Sequence, residues 1–432
     1  MGRNGWARWL YSAVLYGLSP LVWKRVWRER ALTHSRWQRL GFVPRSSAGR
    51  AVIWLHCASV GEVLAAQPLI ETLLERYPGR ELVVSTMTAT GAERVQAIAD
   101  SRQTRGQAGH LRHCFIALDF PGAARRFVRR LRPQAAIIFE TELWPNVLAA
   151  CHSREVPVVV SNGRLSPRAF EGYRRVRPLM RDALSHVTWL AAKSDADAER
   201  FQALGMAVEH VTVVGSLKFD FLPNDAEFER SERLRTLLGQ RPAWVAGSTH
   251  PGEDEQVLAA HAVLLESQPD ALLILVPRHP QRFDAVAALC REHGFTLARR
   301  SQEERPEAGT QVYLADTMGE LLGFYGAAMV AFVGGSLAPI GGHNLLEPAA
   351  MGTPVITGKH LDNFLDVAAT LREADVLLEV DDATALGREL IRLFDDPDER
   401  ERLSRTGQAV IEANRGALKR TLDGLATYLE EK

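Results

Sequence analysis

From Ala51 onward, short runs of β-branched and apolar residues alternate with longer helical patterns, and no other feature constrains the fold of this chain as much. The first series comprises AVIWLH, ELVVST, CFIAL, AAIIFE and VPVVVS, and segments such as EVLAAQPLIETLLERY between them carry the i, i+3, i+4 apolar spacing of helices. Strands that stay apolar without alternation are buried on both faces, as in a parallel sheet. The series ends near VTVVGSLKFDF, and a polar, charged stretch over residues 222–241 reads as a connection. A second series then follows in AWVAGST, ALLILVP, QVYLAD, AAMVAFVGGS, TPVIT and DVLLEV. The pattern predicts an α/β protein of two doubly wound domains, over residues 51–221 and 242–432, with the last helix a candidate to return to the first domain. The length of 432 residues agrees with two domains of ordinary size.

Residues 1–50 are different. Ten basic residues stand there against one acid, Glu29, around the apolar run WLYSAVLYGLSPLVW from Trp9 to Trp23. Aromatic ends and basic flanks suit a bilayer interface. No small-residue cleavage site follows, so the run reads as a retained membrane-anchoring helix, with Lys24, Arg25, Arg28 and Arg30 holding the body on the cytoplasmic side. An amphipathic helix packed on the protein is the competing reading.

Over the whole chain Lys+Arg and Asp+Glu are equal at 52 each, which argues against nucleic acid as a partner. Four scattered cysteines without C-x-x-C spacing disfavour a disulfide framework or a zinc ribbon. No G-x-G-x-x-G follows a strand, and GTPVITGK (Gly352–Lys359) has the wrong spacing for a P-loop. HLRH (His110–His113) reads as a polar loop rather than a metal pair. The D-x-D of SDADAER falls in a charged helical pattern, where Asp195 reads as a cap.

In doubly wound sheets ligands collect at the C-terminal strand ends, where helix N-termini also gather. The block FVGGSLAPIGGHNLLEPAAMGTPVI (Phe332–Ile356) runs from a strand through two glycine pairs to a helix expected over NLLEPAAMG. Its glycines let the backbone approach a ligand, its helix start offers N–H groups to phosphate, and Glu347 suits a ribose diol. Arg278 and His279 follow another strand, where a guanidinium suits an anion, and Met318, Gly319 and Glu320 open a helix after a third. These sites together predict a nucleotide pocket in the second domain.

HCASVGEVLAAQPLI, FETELWPN, GSLKFD, PRHPQRF, DTMGEL and GGSLAPIGGHNLLEPAAMGTPVI, in this order, resemble the 3-deoxy-D-manno-octulosonic acid (Kdo) transferases of lipopolysaccharide assembly along nearly the whole chain. The resemblance implies a GT-B glycosyltransferase fold, two Rossmann-like domains facing a cleft, with the acceptor on the first and CMP-Kdo on the second. It implies inverting transfer of Kdo to a tetraacyl lipid A precursor at the cytoplasmic face of the inner membrane of a Gram-negative cell, with Glu62 as the proton acceptor. Donor contacts fall by the same resemblance on Pro277 and Arg278, on Met318, Gly319 and Glu320, and on Asn344, Leu345, Leu346 and Glu347.

Such a transfer needs the acceptor hydroxyl to lose its proton as the bond forms, and a carboxylate at a strand end can receive it. A helix N-terminus is expected to lower the pKa of Glu62 and keep it ionised. Glu140 and Glu142 are supporting candidates for orienting sugar hydroxyls, Lys218 for contacting the donor phosphate or carboxylate, and His279 stands beside Arg278. The motifs call for no metal or other cofactor. A GT-B enzyme of UDP sugars and a tethered two-domain binding protein are the alternatives.

Overall fold

The computed structural model describes residues 5–28, 35–46, 49–107, 109–221, 223–239 and 241–430. The chain divides into two compact units, Met1–Asp220 with Arg415–Lys432, and Phe221–Asn414.

The first unit is built on seven parallel strands: β1 (Val52–His56), β2 (Glu81–Thr86), β3 (His110–Phe115), β4 (Pro133–Phe139), β5 (Val158–Gly163), β6 (Trp189–Ala192) and β7 (Val211–Val213), in the order β3-β2-β1-β4-β5-β6-β7. Successive side chains of a strand point to opposite faces, and here both faces are covered. Trp54 of β1 packs with Phe127 and Val128 on one side, while Ile53 and Leu55 pack with Leu69, Leu73 and Leu425 on the other. Leu425 belongs to the final helix Ala417–Leu429, which closes that face and is capped by the Asp220 carboxylate, acceptor of the Gly416 and Leu418 N–H groups.

The second unit repeats the plan with β8 (Ala243–Thr249), β9 (Leu272–Pro277), β10 (Leu297–Arg299), β11 (Val312–Leu314), β12 (Val330–Val333), β13 (Val355–Thr357) and β14 (Leu377–Glu379), again all parallel, in the order β10-β11-β9-β8-β12-β13-β14. In each sheet the order reverses beside the first strand of the unit, between β1 and β4 and between β8 and β12. Such a switch point leaves a crevice at the carboxyl ends of the strands.

Four expectations change. Residues 222–241 are not a linker: apart from Leu222 and Gln240, which lie outside the described residues, they are mostly the helix Asp225–Leu237. Arg230 and Arg235 of that helix donate to the carbonyls of Gly319 and Gly326, and buried Leu234 and Ser231 face the second unit's body. HLRH is the start of edge strand β3 rather than a loop, its polar residues lying where Arg112 donates to Glu81 of β2 at 2.8 Å. The cap in SDADAER is Ser194, whose hydroxyl accepts the Asp197 N–H, while Asp195 is the first helical residue.

The fourth concerns the N-terminal run. It is two helices, Gly5–Gly17 and Ser19–Arg28, broken at Leu18, and no helix among the described residues is long and apolar enough to cross a membrane. The first helix packs on the unit through buried Ala7 and Ser12, with Ser12 donating to Asn146 and Arg8 3.5 Å from Asp182. Its other face shows Trp6, Trp9, Leu10, Val14 and Tyr16 to solvent, followed by Leu18 and Leu21. Arg3, Glu29 and Arg30 lie outside the described residues.

Candidate active site

Glu62 stands one turn into the helix Val60–Ala65, directly after β1, at the switch point of the first sheet. The local sequence S-V-G-E forms a variant of the capping box: Ser59 is the N-cap, its hydroxyl accepts the Glu62 N–H at 3.3 Å, and Glu62 reaches back past the cap residue to the Ala58 N–H. The Glu62 carboxylate accepts from the Ala58 N–H at 2.8 Å and from the Ser59 hydroxyl at 3.0 Å. Those bonds lock its rotamer in a half-buried position.

Across the switch point, β4 delivers Glu140 and Glu142. Glu140 takes a left-handed φ of 58°, with its N–H bound to the Ser161 carbonyl at 2.9 Å. Glu142 accepts from the Trp144 indole N–H at 2.9 Å. Burial raises the Glu142 carboxyl above the usual range, with Glu140 adding repulsion. The effect on Glu62 is the reverse of the expected one. Burial, with the charges of Glu142 and Glu140 added, pushes it up to about 7 against the opposing bonds from Ala58 and Ser59. Burial and like charge thus outweigh the helix terminus, and the group is poised near neutrality, where a general base works best.

Beneath this cluster His56, fully buried at the end of β1, joins Nδ1 to the Ser85 carbonyl at 3.0 Å. Its Nε2 has no hydrogen-bond partner. Lys218 sits half-buried in the short turn Leu217–Asp220 that closes the first unit's main segment.

In the second unit, Pro277 ends β9 and is buried, while Arg278 and His279 are exposed just beyond it, the Arg278 N–H bound to the Thr249 carbonyl at 3.0 Å. Met318 is 62 % exposed, and Gly319 makes its turn with φ 81°, open to solvent on the side a Cβ would occupy. Glu320 is held by two bonds from Arg300, at 2.9 and 3.1 Å, which depress its pKa. Asn344 caps the Leu346 N–H and donates to Glu347 at 3.2 Å. Burial raises the pKa of Glu347, while the Asn344 bond and the Arg278 charge oppose the rise. Leu345 and Leu346 are buried, and the expected helix shortens to Leu346–Ala350, with the Leu346 N–H already occupied by Asn344.

The first part of the glycine block is occupied by the protein itself. The N–H groups of Gly335, Ser336, Leu337 and Ala338 converge on the buried carboxylate of Glu253, at 2.7, 2.9, 2.9 and 3.3 Å, leaving none of the four for phosphate.

Comparison with known proteins agrees with this organisation. Residues 34–221 match the family model of 3-deoxy-D-manno-octulosonic-acid transferase (kdotransferase), and residues 240–410 match glycosyl transferases group 1. The 3-deoxy-D-manno-octulosonic acid transferase of Haemophilus influenzae is 42% identical over 396 residues, covering 91% of each chain. The chain belongs to the 3-deoxy-D-manno-octulosonic acid transferase family. The enzyme is therefore a Kdo transferase, a glycosyltransferase. The Bordetella pertussis transferase is 36% identical over 440 residues, 99% of this chain and 100% of that protein. At the level of fold alone, UDP-GlcNAc 2-epimerase from Neisseria meningitidis superposes with a TM-score of 0.57 at 11% identity, over 87% of this chain and 100% of that one.

Sequence reasoning missed His250 and Glu253 of the transferase. Both follow β8 at the second switch point, and the motif STHPGEDE there was the available signal.

Proposed function

We propose that the transferase moves Kdo from CMP-Kdo to a tetraacyl lipid A precursor in lipopolysaccharide core biosynthesis, by a single inverting displacement with Glu62 as general base. The observation that carries this reading is the fixed Glu62 carboxylate at the first switch point, with a pKa of about 7. In one displacement the acceptor oxygen bonds to the Kdo anomeric carbon as the bond to the CMP phosphate oxygen breaks. The hydroxyl proton passes to Glu62, and the electron pair leaves with CMP. Attack opposite the leaving group inverts the anomeric centre. Glu140 and Glu142 orient acceptor hydroxyls, and Lys218 steadies the anionic donor. Arg278 with the Met318–Glu320 turn receives the CMP part, while the half-buried Glu347 is placed for the ribose diol. No metal or other cofactor enters the proposed step, and nucleic acid is not a partner.

The same reading puts the enzyme at the cytoplasmic face of the inner membrane of a Gram-negative cell. Trp6, Trp9, Leu10 and Leu21 would enter the interface, with the N-terminal helices lying on the bilayer. Incubation of the full chain with CMP-Kdo and the tetraacyl precursor should release CMP and add whole Kdo masses to the acceptor. Release of UDP from UDP-GlcNAc, with none of CMP from CMP-Kdo, would replace the donor.

A further inference from the structure

The anion hole at the second switch point is filled by the protein itself. Glu253 is fully buried at the N-cap of the helix Asp254–Ser267, and its carboxylate accepts five backbone N–H groups, the fifth from His250 at 2.9 Å. The other four come from Gly335, Ser336, Leu337 and Ala338, 82 to 85 residues along the chain. Successive N–H groups converging in this way form an anion-binding nest, and charge-assisted bonds of this kind are stronger than neutral ones.

The consequences run outward along the loop. Gly335 accepts the Gly342 N–H at 2.7 Å, and a Cβ at Gly335 would press on the His343 ring. His343 lies parallel to His250, with ring centroids 5.1 Å apart at an interplanar angle of 9° and the two Nε2 atoms 2.8 Å apart. One Nε2 must carry the hydrogen and the other the lone pair, so the contact needs at least one neutral ring. Burial lowers the pKa of both, that of His343 to about 4. His279 meets His250 edge to face at 5.2 Å, and Asn344, which holds Glu347, follows His343 directly. Glu253 thus ties the residue directly after β8, His250, to the loop leading into Asn344 and Glu347.

We propose that Glu253 is a positioning residue for the donor, fixing the stacked pair His250–His343 as the wall against which the sugar nucleotide seats. The proposal rests on the reading of the second unit as the CMP-Kdo site. Glu253→Gln would turn an amide NH2 toward N–H groups that need an acceptor, so the loop and the histidine stack lose their register. The side chain touches no reacting atom, so the effect falls on donor binding.

The test measures steady-state kinetics of the full chain with CMP-Kdo and a lipid A precursor for wild type, Glu253→Gln and His343→Asn. His343→Asn leaves the nest intact and serves if Glu253→Gln does not fold. Both variants are expected to raise the donor KM about tenfold or more, with kcat and the acceptor KM within about twofold of wild type. A folded Glu253→Gln with the wild-type donor KM, or His343→Asn with an unchanged donor KM, overturns the proposal while wild-type turnover keeps the donor reading. A fall in kcat alone overturns it as well. Absence of turnover by folded wild type overturns the donor reading and this inference with it.

Discussion

His56 Nε2 lies 4.0 Å from Glu142 Oε2, yet the two do not form an ion pair. Nδ1 lies 3.0 Å from the Ser85 carbonyl and 2.9 Å from the Ser85 hydroxyl, and burial lowers the His56 pKa to about 4, so the ring is neutral near pH 7. The imidazole supplies no positive charge to the three glutamates, and Glu142 keeps its repulsion on Glu62.

Removing that repulsion should be visible in the pH dependence of turnover. As a base, Glu62 gives a rate that rises with pH through about 7. Glu142→Gln deletes a like charge, which favours ionised Glu62, so the acidic limb of kcat/KM moves to lower pH. A limb that stays in place or moves upward contradicts the electrostatic account.

Stability should follow the same group with the opposite sense. The Glu62 pKa is raised from 4.5 to about 7 on folding, so the folded chain binds the proton more tightly between those values. The contribution of Glu62 therefore falls as pH rises through that window. Glu62→Gln carries no such penalty, so its Tm relative to wild type should be higher at pH 8 than at pH 5. A difference independent of pH would mean that the site does not perturb Glu62.

The N-terminal helices are predicted to bind lipid through exposed side chains. Trp9 and Leu21 are 71% and 65% exposed. The double change Trp9→Ser, Leu21→Ser should weaken partition onto anionic vesicles about tenfold or more, since each apolar side chain buried contributes ~1.5–3 kcal/mol. The Tm should hardly move. Unchanged vesicle binding would remove these helices from the membrane contact.

The final helix is predicted to be integral to the first unit. A Cβ built on Gly424 would overlap the ring of Trp189, itself only 9% exposed. Gly424→Ala should cost ~1–3 kcal/mol by overpacking, read as a lower denaturation midpoint. A neutral effect would indicate that the helix packs loosely.

How much of this was legible depended on where each constraint lies. Runs such as VIWLH and LLILVP announce themselves because both faces of a central parallel strand are buried. Edge strands are harder to read: β3 opens with the polar His110–His113, so only its Cys114–Phe115 end falls in the apolar run CFIAL, and β10 is only Leu297–Arg299. Glu62 was legible through its turn, since S-V-G-E is local chemistry. Its raised pKa was not, because Glu140 and Glu142 reach it only once β4 pairs with β1. The role of Glu253 was hidden for the same reason, its partners lying 82 to 85 residues away. Asp225–Leu237 read as a connection because its helix is mostly polar and its Arg230 and Arg235 contacts are tertiary.

The most direct test of the central claim compares wild type with Glu62→Gln for CMP release from CMP-Kdo with the lipid A precursor, at saturating substrates. The account predicts a loss of ~10²-fold or more in kcat with the donor KM nearly unchanged. Near-normal turnover by Glu62→Gln would contradict it and move the base to another group, with Glu140 and Glu142 the next to be changed.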